Sequence, residues 1–305
     1  MKDIFRRSLL KAAGALPTLR TLVASSGQHS LKSIGVQLYS VRDVIANNDP
    51  AEVLKSIEKT GYREVEVVWA SLAKIWPSLQ GTKLKPVSIH MDSTFFQAGN
   101  RDKLKAAINA VQQRKFAYMV YPAVPRPERT AGLDHFKALA DTLNEAGTQC
   151  HKVGVQLCFH NHAYEFHPIG SSSPWEVLTT QTDPRLINFE LDIFWASVAE
   201  HDPAEMLKRY SGRFPLMHLK NKLDGVPVQF NEDVPHEAFK EVGDGVLNIP
   251  AILRTASDTG VKHFFVEQDW TPGNPVDSLR KSYDYRKHHM NPSGQSAKPR
   301  RILDA

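Results

Sequence analysis

The sequence predicts a single (β/α)8 TIM barrel of the α/β class, and three observations support this fold. Short apolar runs alternate with helix-length amphipathic segments from residue 34 onward. There are eight such pairs, the number that closes a barrel of about 250 residues. The first run is not followed by the glycine-rich turn that usually marks the ligand site of a doubly wound sheet. We therefore expect one barrel domain over residues 30–290 rather than two domains.

Eight runs rich in apolar residues are the candidate strands. The strands of a parallel barrel are covered on both faces, so they are expected to be continuous apolar runs rather than alternating ones. In chain order, the runs cover residues 34–38, 64–68, 86–90, 116–121, 155–160, 186–192, 215–220 and 263–267. The intervals between them are long enough for a helix or a helix-length connection.

Six intervals carry clear helical patterns. The most regular covers residues 128–151, where apolar side chains recur on one stripe. The others cover residues 50–60, 101–113, 203–210, 249–259 and 276–289. Asp49 and Asp202 each precede a proline, which places a capping side chain ahead of the first helical turn. These two positions predict the sharpest helix starts.

The two ends of the chain differ in composition from the barrel. Residues 1–29 contain five basic residues and one acidic residue, with Arg6 and Arg7 ahead of a weakly apolar run. This pattern resembles a twin-arginine export signal, so we expect a leader over residues 1–29 and a periplasmic location. The alternative is a short amphipathic helix on a cytoplasmic protein. Residues 291–305 are rich in Pro, Ser, Lys and Arg and are predicted to be a disordered tail.

Charge and hydropathy argue against two classes of partner. The formal net charge is +5, and most of it falls within residues 1–29, so the barrel lacks the broad basic surface that nucleic-acid binding requires. No run of apolar residues is long enough for a permanent membrane anchor. The expected partner is a small-molecule carbohydrate, and the sequence leaves an oligomer possible.

Charged side chains occur at the ends of four consecutive strands. Glu165 follows the fifth strand, Asp192 ends the sixth, His218 lies in the seventh and Glu267 ends the eighth. The carboxyl ends of all barrel strands meet at one mouth, where active sites of this fold lie. Three carboxylates and an imidazole cannot converge in a dry pocket without a cation. We therefore predict that these four residues bind one divalent metal ion, for which Mn²⁺, Zn²⁺, Mg²⁺ and Co²⁺ are suitable.

Motifs at the strand ends give the sequence a family resemblance. They are 35–40 (GVQLYS), 160–166 (HNHAYEF), 190–195 (ELDIFW), 218–220 (HLK), 241–245 (EVGDG) and 266–269 (VEQD). With these motifs the sequence resembles the xylose isomerase-like TIM barrel family, often labelled sugar phosphate isomerase/epimerase, over about residues 34–289. The resemblance implies that Glu165, Asp192, His218 and Glu267 hold a divalent metal, with manganese as the first choice. It also implies that Glu165 and Glu267 serve as catalytic acid and base.

The predicted function is that of a divalent-metal-dependent sugar isomerase or epimerase. The metal would lower the pKa of the C–H group next to a carbonyl and stabilise an enediolate intermediate. One glutamate would remove the proton, and the other would return it to the opposite face or to the neighbouring carbon. The same proton abstraction can expel a β-leaving group, so a lyase that cleaves an oxidised (3-keto) glycoside is the alternative. An exported sugar-binding barrel is the non-enzyme alternative.

Four further residues are predicted to bind the substrate. His90 ends the third strand, His162 follows the fifth, and Lys220 lies in phase with His218. Trp195 stands where free-ketose epimerases of the family typically have a histidine, which favours a larger or glycoside-like substrate. No basic, glycine-rich phosphate cradle is present, which favours an unphosphorylated sugar.

Two of the polar residues at the strand ends have structural alternatives. Lys220 could form a salt bridge with Glu190 instead of contacting the substrate. His160 is interpreted as a structural group, because a lone histidine at a strand end is more often a satisfied structural residue than a ligand.

Overall fold

Eight parallel strands close into a barrel in the part of the chain that the structure, a computed structural model, describes: residues 34–289, with side chains through residue 285. The ten strands of this part are β1 (Gly35–Gln37), β2 (Glu64–Val68), β3 (Lys85–His90), β4 (Tyr118–Tyr121), β5 (Gln156–His160), β6 (Ile187–Asp192), β7 (Leu216–Leu219), β8 (Asn221–Lys222), β9 (Phe239–Lys240) and β10 (His263–Val266). Around the barrel the order is β1-β10-β7-β6-β5-β4-β3-β2, and β8 pairs with β9 as a separate antiparallel sheet. The predicted fold is confirmed, while the predicted leader (1–29) and tail (291–305) lie outside the described residues.

Ten α-helices cover the outside of the barrel in residues 34–289. They are α1 (Arg42–Asn47), α2 (Pro50–Thr60), α3 (Trp69–Leu79), α4 (Arg101–Gln113), α5 (Leu133–Lys152), α6 (Pro174–Gln181), α7 (Ile193–Val198), α8 (Pro203–Arg209), α9 (Ile249–Thr259) and α10 (Pro275–His289). The two capped starts are confirmed, because the side chains of Asp49 and Asp202 accept hydrogen bonds from the backbone N–H of Ala51 and Ala204. No described helix is long and apolar enough to cross a membrane.

Several helices differ from the sequence prediction for identifiable reasons. Helix α5 begins at Leu133 rather than near residue 128, because a separate 3-10 turn and then Gly132, with a φ of 82°, precede it. Helix α3 contains Pro77 and was not among the predicted helices. Helices α1, α6 and α7 have only six to eight residues, which is too short for an apolar period to be recognised.

The inside of the barrel is divided into an apolar floor and a polar mouth. The floor is a buried cluster of six residues: Val87, Tyr118, Val120, Cys158, Leu216 and Phe265. Side chains alternate along a strand, so the residues two positions further along face the same interior. Cys158, Leu216 and Phe265 are thus followed on the mouth side by polar residues, which lie where a TIM barrel keeps its active site.

Candidate active site

Three of the four predicted metal ligands come together at the mouth. Asp192, His218 and Glu267 each offer one donor atom, and these atoms lie within 4.8 Å of one another. His218 Nδ1 lies 2.9 Å from Glu267 Oε2 and 3.8 Å from Asp192 Oδ2. Asp192 also caps helix α7, because its Oδ1 accepts hydrogen bonds from the backbone N–H of Phe194 and Trp195. This cap fixes the carboxylate, so that Oδ2 faces the group.

A buried ammonium group neutralises the mouth carboxylates. Lys220 Nζ lies 2.8 Å from Asp192 Oδ2, 2.6 Å from Glu267 Oε2 and 2.6 Å from Asp269 Oδ2. Burial would lower the pKa of Lys220, but the three carboxylates raise it well above its usual value. Lys220 is therefore charged, and its salt bridges run to these three residues and not to Glu190.

His160, at the end of β5, lies between the mouth group and the residues beneath it. Its Nε2 lies 3.8 Å from Asp192 Oδ2, and its Nδ1 lies 3.0 Å from Glu190 Oε2. The ring is buried together with the predicted ligands. Its donor atoms group with those of His90, Glu190 and His218, and its interpretation as a structural group stays a prediction.

Glu165 is the predicted ligand that the structure does not bring into this group. It lies in a 3-10 turn, Tyr164–Phe166, beyond the end of β5. Its Oε2 accepts a hydrogen bond from the backbone N–H of His162, while Oε1 is buried without a hydrogen-bond partner among the described residues. Burial raises the pKa of Glu165 to about 8. This carboxyl group therefore carries a proton at neutral pH.

Two buried glutamates form a second layer beneath the mouth group. Glu66 Oε2 lies 2.6 Å from His218 Nε2 and 3.1 Å from His90 Nε2. Glu190 Oε2 lies 2.7 Å from His90 Nε2 and 3.0 Å from His160 Nδ1. His160 and His218 thus connect the two layers, each with one nitrogen toward either side.

The charges in this second layer stabilise one another. Burial and Glu66 would raise the pKa of Glu190, but His218 and His90 lower it to about 2. Burial would likewise lower the pKa of His90, yet Glu66 and Glu190 raise it to about 10. Glu66 was not identified from the sequence, although a glutamate within the valine-rich run of β2 is the kind of costly buried charge that marks a functional strand end.

A cavity of about 620 Å³ opens above the mouth group. Its walls combine aromatic rings, imidazoles, carboxylates and arginines, as follows: Tyr39, Trp195, Phe239, Trp270, His90, His160, His162, His236, Glu232, Glu267, Asp269, Arg42, Arg126 and Arg129. This volume lies within the range of small-molecule sites. The mixture of flat apolar faces and polar groups suits a polyhydroxylated ligand.

Three of the four predicted substrate-binding residues line this cavity. They are His90, His162 and Trp195, whereas Lys220 is fully buried beneath them. The indole Nε1 of Trp195 and the Nδ1 of His162 are buried without a hydrogen-bond partner among the described residues. Trp195 therefore lines the cavity as a residue, while its N–H group is buried without a partner among the described residues.

The donor atoms of three residues fit a divalent cation. His218 Nδ1 lies 2.9 Å from Glu267 Oε2 and 3.8 Å from Asp192 Oδ2. Ligands about 2.1 Å from a common ion lie about 3.4 Å apart when the geometry is tetrahedral. An imidazole and two carboxylates suit zinc, manganese or cobalt.

Comparison with known proteins identifies the family. The sequence profile of the xylose isomerase-like TIM barrel family matches residues 54–288. The chain belongs to this family. The predicted resemblance is therefore confirmed, together with the fold that it implies.

Similar proteins include one named as a dehydratase, one named as an isomerase/epimerase and one with a bound zinc atom. An inosose dehydratase of Clostridium perfringens is 26% identical over 168 residues, which cover 52% of this chain and 56% of that relative. A crystal structure of a sugar phosphate isomerase/epimerase from Parabacteroides distasonis has a TM-score of 0.68 and 24% identity, and covers 83% of this chain and 92% of that one. A structure of the IOLI protein with a bound zinc atom has a TM-score of 0.61 and 16% identity, over 83% of this chain and 95% of that one.

Proposed function

We propose that the chain is a divalent-metal-dependent enzyme that removes a proton next to a carbonyl group of a small polyhydroxylated compound, a sugar or a cyclic polyol. The observation that carries this proposal is the buried group of Asp192, His218 and Glu267 at the mouth, beneath a cavity of about 620 Å³. Burial of charged groups costs folding free energy unless they are paired or bind a metal. Clusters of such groups in a cleft therefore indicate a functional site.

The residues that would hold the ion are Asp192, His218 and Glu267, whose donor atoms lie within 4.8 Å of one another. A bound divalent ion polarises a carbonyl oxygen and so lowers the pKa of the neighbouring C–H group. Zinc and manganese are both suitable for this donor set, and the zinc-bound IOLI neighbour adds support for zinc.

Glu267 is the proposed base. It lines the cavity, and Lys220 and His218 outweigh its burial and hold its pKa well below the usual value. It is therefore ionised and can accept a proton. Glu165 carries a proton at neutral pH, so the two predicted catalytic glutamates have pKa values that are pushed apart, as an acid and a base require. Its role as the acid stays a prediction, because its carboxyl group does not line the cavity.

The proton has two possible fates, and the first makes the enzyme an isomerase or epimerase. Return of the proton to the opposite face gives an epimer, and its return to the neighbouring carbon gives an isomer. The cavity wall presents Trp195, Phe239 and Trp270, whose flat apolar faces suit the C–H face of a sugar ring. An unphosphorylated sugar derivative remains the expected substrate, and export of the protein through a leader at residues 1–29 remains a separate prediction.

Elimination is the second candidate, and two observations favour it. Asp269 lines the cavity beside Lys220, and burial raises its pKa to about 6 although Lys220 opposes this shift. A carboxylic acid at this position can protonate a leaving hydroxyl or glycosidic oxygen. The similarity to an inosose dehydratase, which is named for the loss of water, points the same way. A 3-keto glycoside and a ketone of a cyclic polyol are the substrate classes for this fate.

Solvent-exchange NMR tests the shared first step. The zinc- or manganese-loaded protein is incubated in D₂O with a panel of ketoses, inososes and 3-keto glycosides, and proton spectra are recorded. The proposal predicts loss of the proton next to the carbonyl for one class, with an epimer or isomer in the first case and an unsaturated ketone in the second. Metal-loaded, folded protein that exchanges no proton in any compound would contradict it.

A further inference from the structure

We propose that Glu66 and Glu190 are positioning residues that hold the ring of His218 through its Nε2, so that its Nδ1 is directed to the ion site. This inference rests on the metal site of the proposed function. Neither glutamate belongs to the predicted ligand set, and both are fully buried in the layer beneath the mouth group.

Both glutamates contact the same nitrogen of His218. Its Nε2 lies 2.6 Å from Glu66 Oε2 and 3.2 Å from Glu190 Oε2. Its Nδ1 lies on the other side of the ring and faces the mouth, 2.9 Å from Glu267 Oε2. The contacts at Nε2 therefore fix which way the ring is turned and direct Nδ1 to the mouth.

The two glutamates are held in place by groups of their own. Gln37 Nε2 donates a hydrogen bond of 2.7 Å to Glu66 Oε2. His90 Nε2 lies 3.1 Å from Glu66 Oε2 and 2.7 Å from Glu190 Oε2, and so joins the two carboxylates. Carboxylates that receive the second N–H of a metal-binding histidine orient the ring and raise its basicity. Glu66 and Glu190 are thus themselves held in place, as carboxylates that orient a histidine must be.

A second ion in the lower layer is the competing interpretation, because His90, His160, Glu190 and His218 offer donor atoms within 4.8 Å of one another. The contacts of His218 favour the positioning role instead. Its Nε2 lies at hydrogen-bond distance from Glu66 Oε2, 2.6 Å. An ion on that nitrogen as well as one at the mouth would require His218 to bridge two metals.

The test compares three glutamate variants by their affinity for Zn²⁺ alone. Competition with a fluorescent chelator gives the dissociation constant for the wild type, Glu66→Gln, Glu190→Gln and the matched control Glu64→Gln. Glu64 lies on the same strand as Glu66 and pairs with His263, but at the opposite end of the barrel. We expect about 10- to 100-fold weaker zinc binding for Glu66→Gln and Glu190→Gln, and unchanged binding for Glu64→Gln.

Each outcome of this experiment decides the inference. A merely structural role would change the unfolding of the metal-free variants and leave their zinc affinity as in the wild type, which would overturn the proposal. A second zinc ion per chain that His90→Ala removes would overturn it too. Where a glutamine variant does not fold, the aspartate variant at that position withdraws the oxygens from the imidazole, and the same loss of affinity is expected. A wild type that binds no zinc would refute the metal site itself, whereas a wild type that binds zinc as tightly as its variants would refute only this inference.

Discussion

Both ends of the barrel interior pair carboxylates with imidazoles. The two ends differ in the number of charged groups that contact each carboxylate. At the lower end, Glu64 of β2 pairs with His263 of β10 at 2.9 Å. At the mouth, two residues further along β2, Glu66 contacts both His218 and His90. At the lower end one carboxylate faces one imidazole, whereas at the mouth the three carboxylates of Asp192, Glu267 and Asp269 share one lysine. An excess of buried carboxylates at one end of a barrel marks the place for a cation.

The apolar floor separates these two ends. Leu216 and Phe265 lie within it, and His218 and Glu267 follow two positions later on the same strands. The floor keeps water away from the underside of the mouth group, which strengthens the attraction between its charges. A step of two residues along a strand therefore leads from the apolar side chains of the floor to the charged side chains of the mouth.

The largest expected effect is on turnover, in Glu267→Gln. Glutamine keeps the size of the side chain but cannot accept the proton, so we expect at least about a 100-fold loss of kcat. The rate of exchange of the proton next to the carbonyl measures this loss. Glu64→Gln, at the lower end, should retain the wild-type rate. Turnover retained in Glu267→Gln would contradict the assignment of the base.

Glu165→Gln sharpens this result. If Glu165 is the acid, its variant should lose turnover while α-proton exchange into solvent persists, because proton removal by Glu267 is intact. If both rates are unchanged, the predicted catalytic role of Glu165 is wrong. The ratio of exchange to product formation, measured in one NMR experiment, separates these results.

Removal of the ammonium at the mouth is expected to have the next largest effect. Lys220→Met removes the ammonium from the buried carboxylates of Asp192 and Glu267 and from the half-buried Asp269, and we expect about 3–5 kcal/mol of lost stability in the metal-free protein. Added Zn²⁺ should bind more tightly than in the wild type, because a competing cation is gone, and should restore part of the stability. Urea unfolding with and without zinc measures both effects.

Lys222→Met is the matched control for the ammonium. Lys222 lies two residues beyond Lys220 and donates to the backbone oxygen of Ser197, away from the carboxylates. It should leave zinc affinity unchanged. Weaker zinc binding in Lys220→Met would show that the ammonium supports the ion rather than competing with it.

The smallest expected effect concerns the unpartnered indole. Trp195→Phe keeps an aromatic ring on the cavity wall and removes the donor, so a lost hydrogen bond of about 1 kcal/mol predicts a KM about fivefold higher. The value of kcat should change less. An unchanged KM would mean that Trp195 serves the cavity through its ring alone.

The barrel and part of its mouth were predictable from the sequence, because both follow from strand period. Asp192, His218 and Glu267 stand at the ends of buried apolar runs, so their phase on the strands was enough to bring them together. The fold prediction also rests on eight apolar runs together, so an error in one run would not change it.

The other features of the site could not be predicted from the alternation of side chains along a single strand. Glu165 lies beyond its strand in a 3-10 turn, where side-chain phase no longer predicts direction. The role of His160 depends on Glu190, which lies 30 positions further along the chain. Glu66 was within reach, since it is a charge inside a buried strand, but its partners on β3 and β7 become visible only in three dimensions.

The most direct test of the account is the metal content of the purified protein. Elemental analysis of the wild type and of the double variant Asp192→Ala/His218→Ala compares the intact mouth with one that lacks two ligands. We expect about one divalent ion per wild-type chain and none in the double variant. A folded wild type that holds no ion and takes up none on titration would contradict it, and so would an ion that the double variant retains.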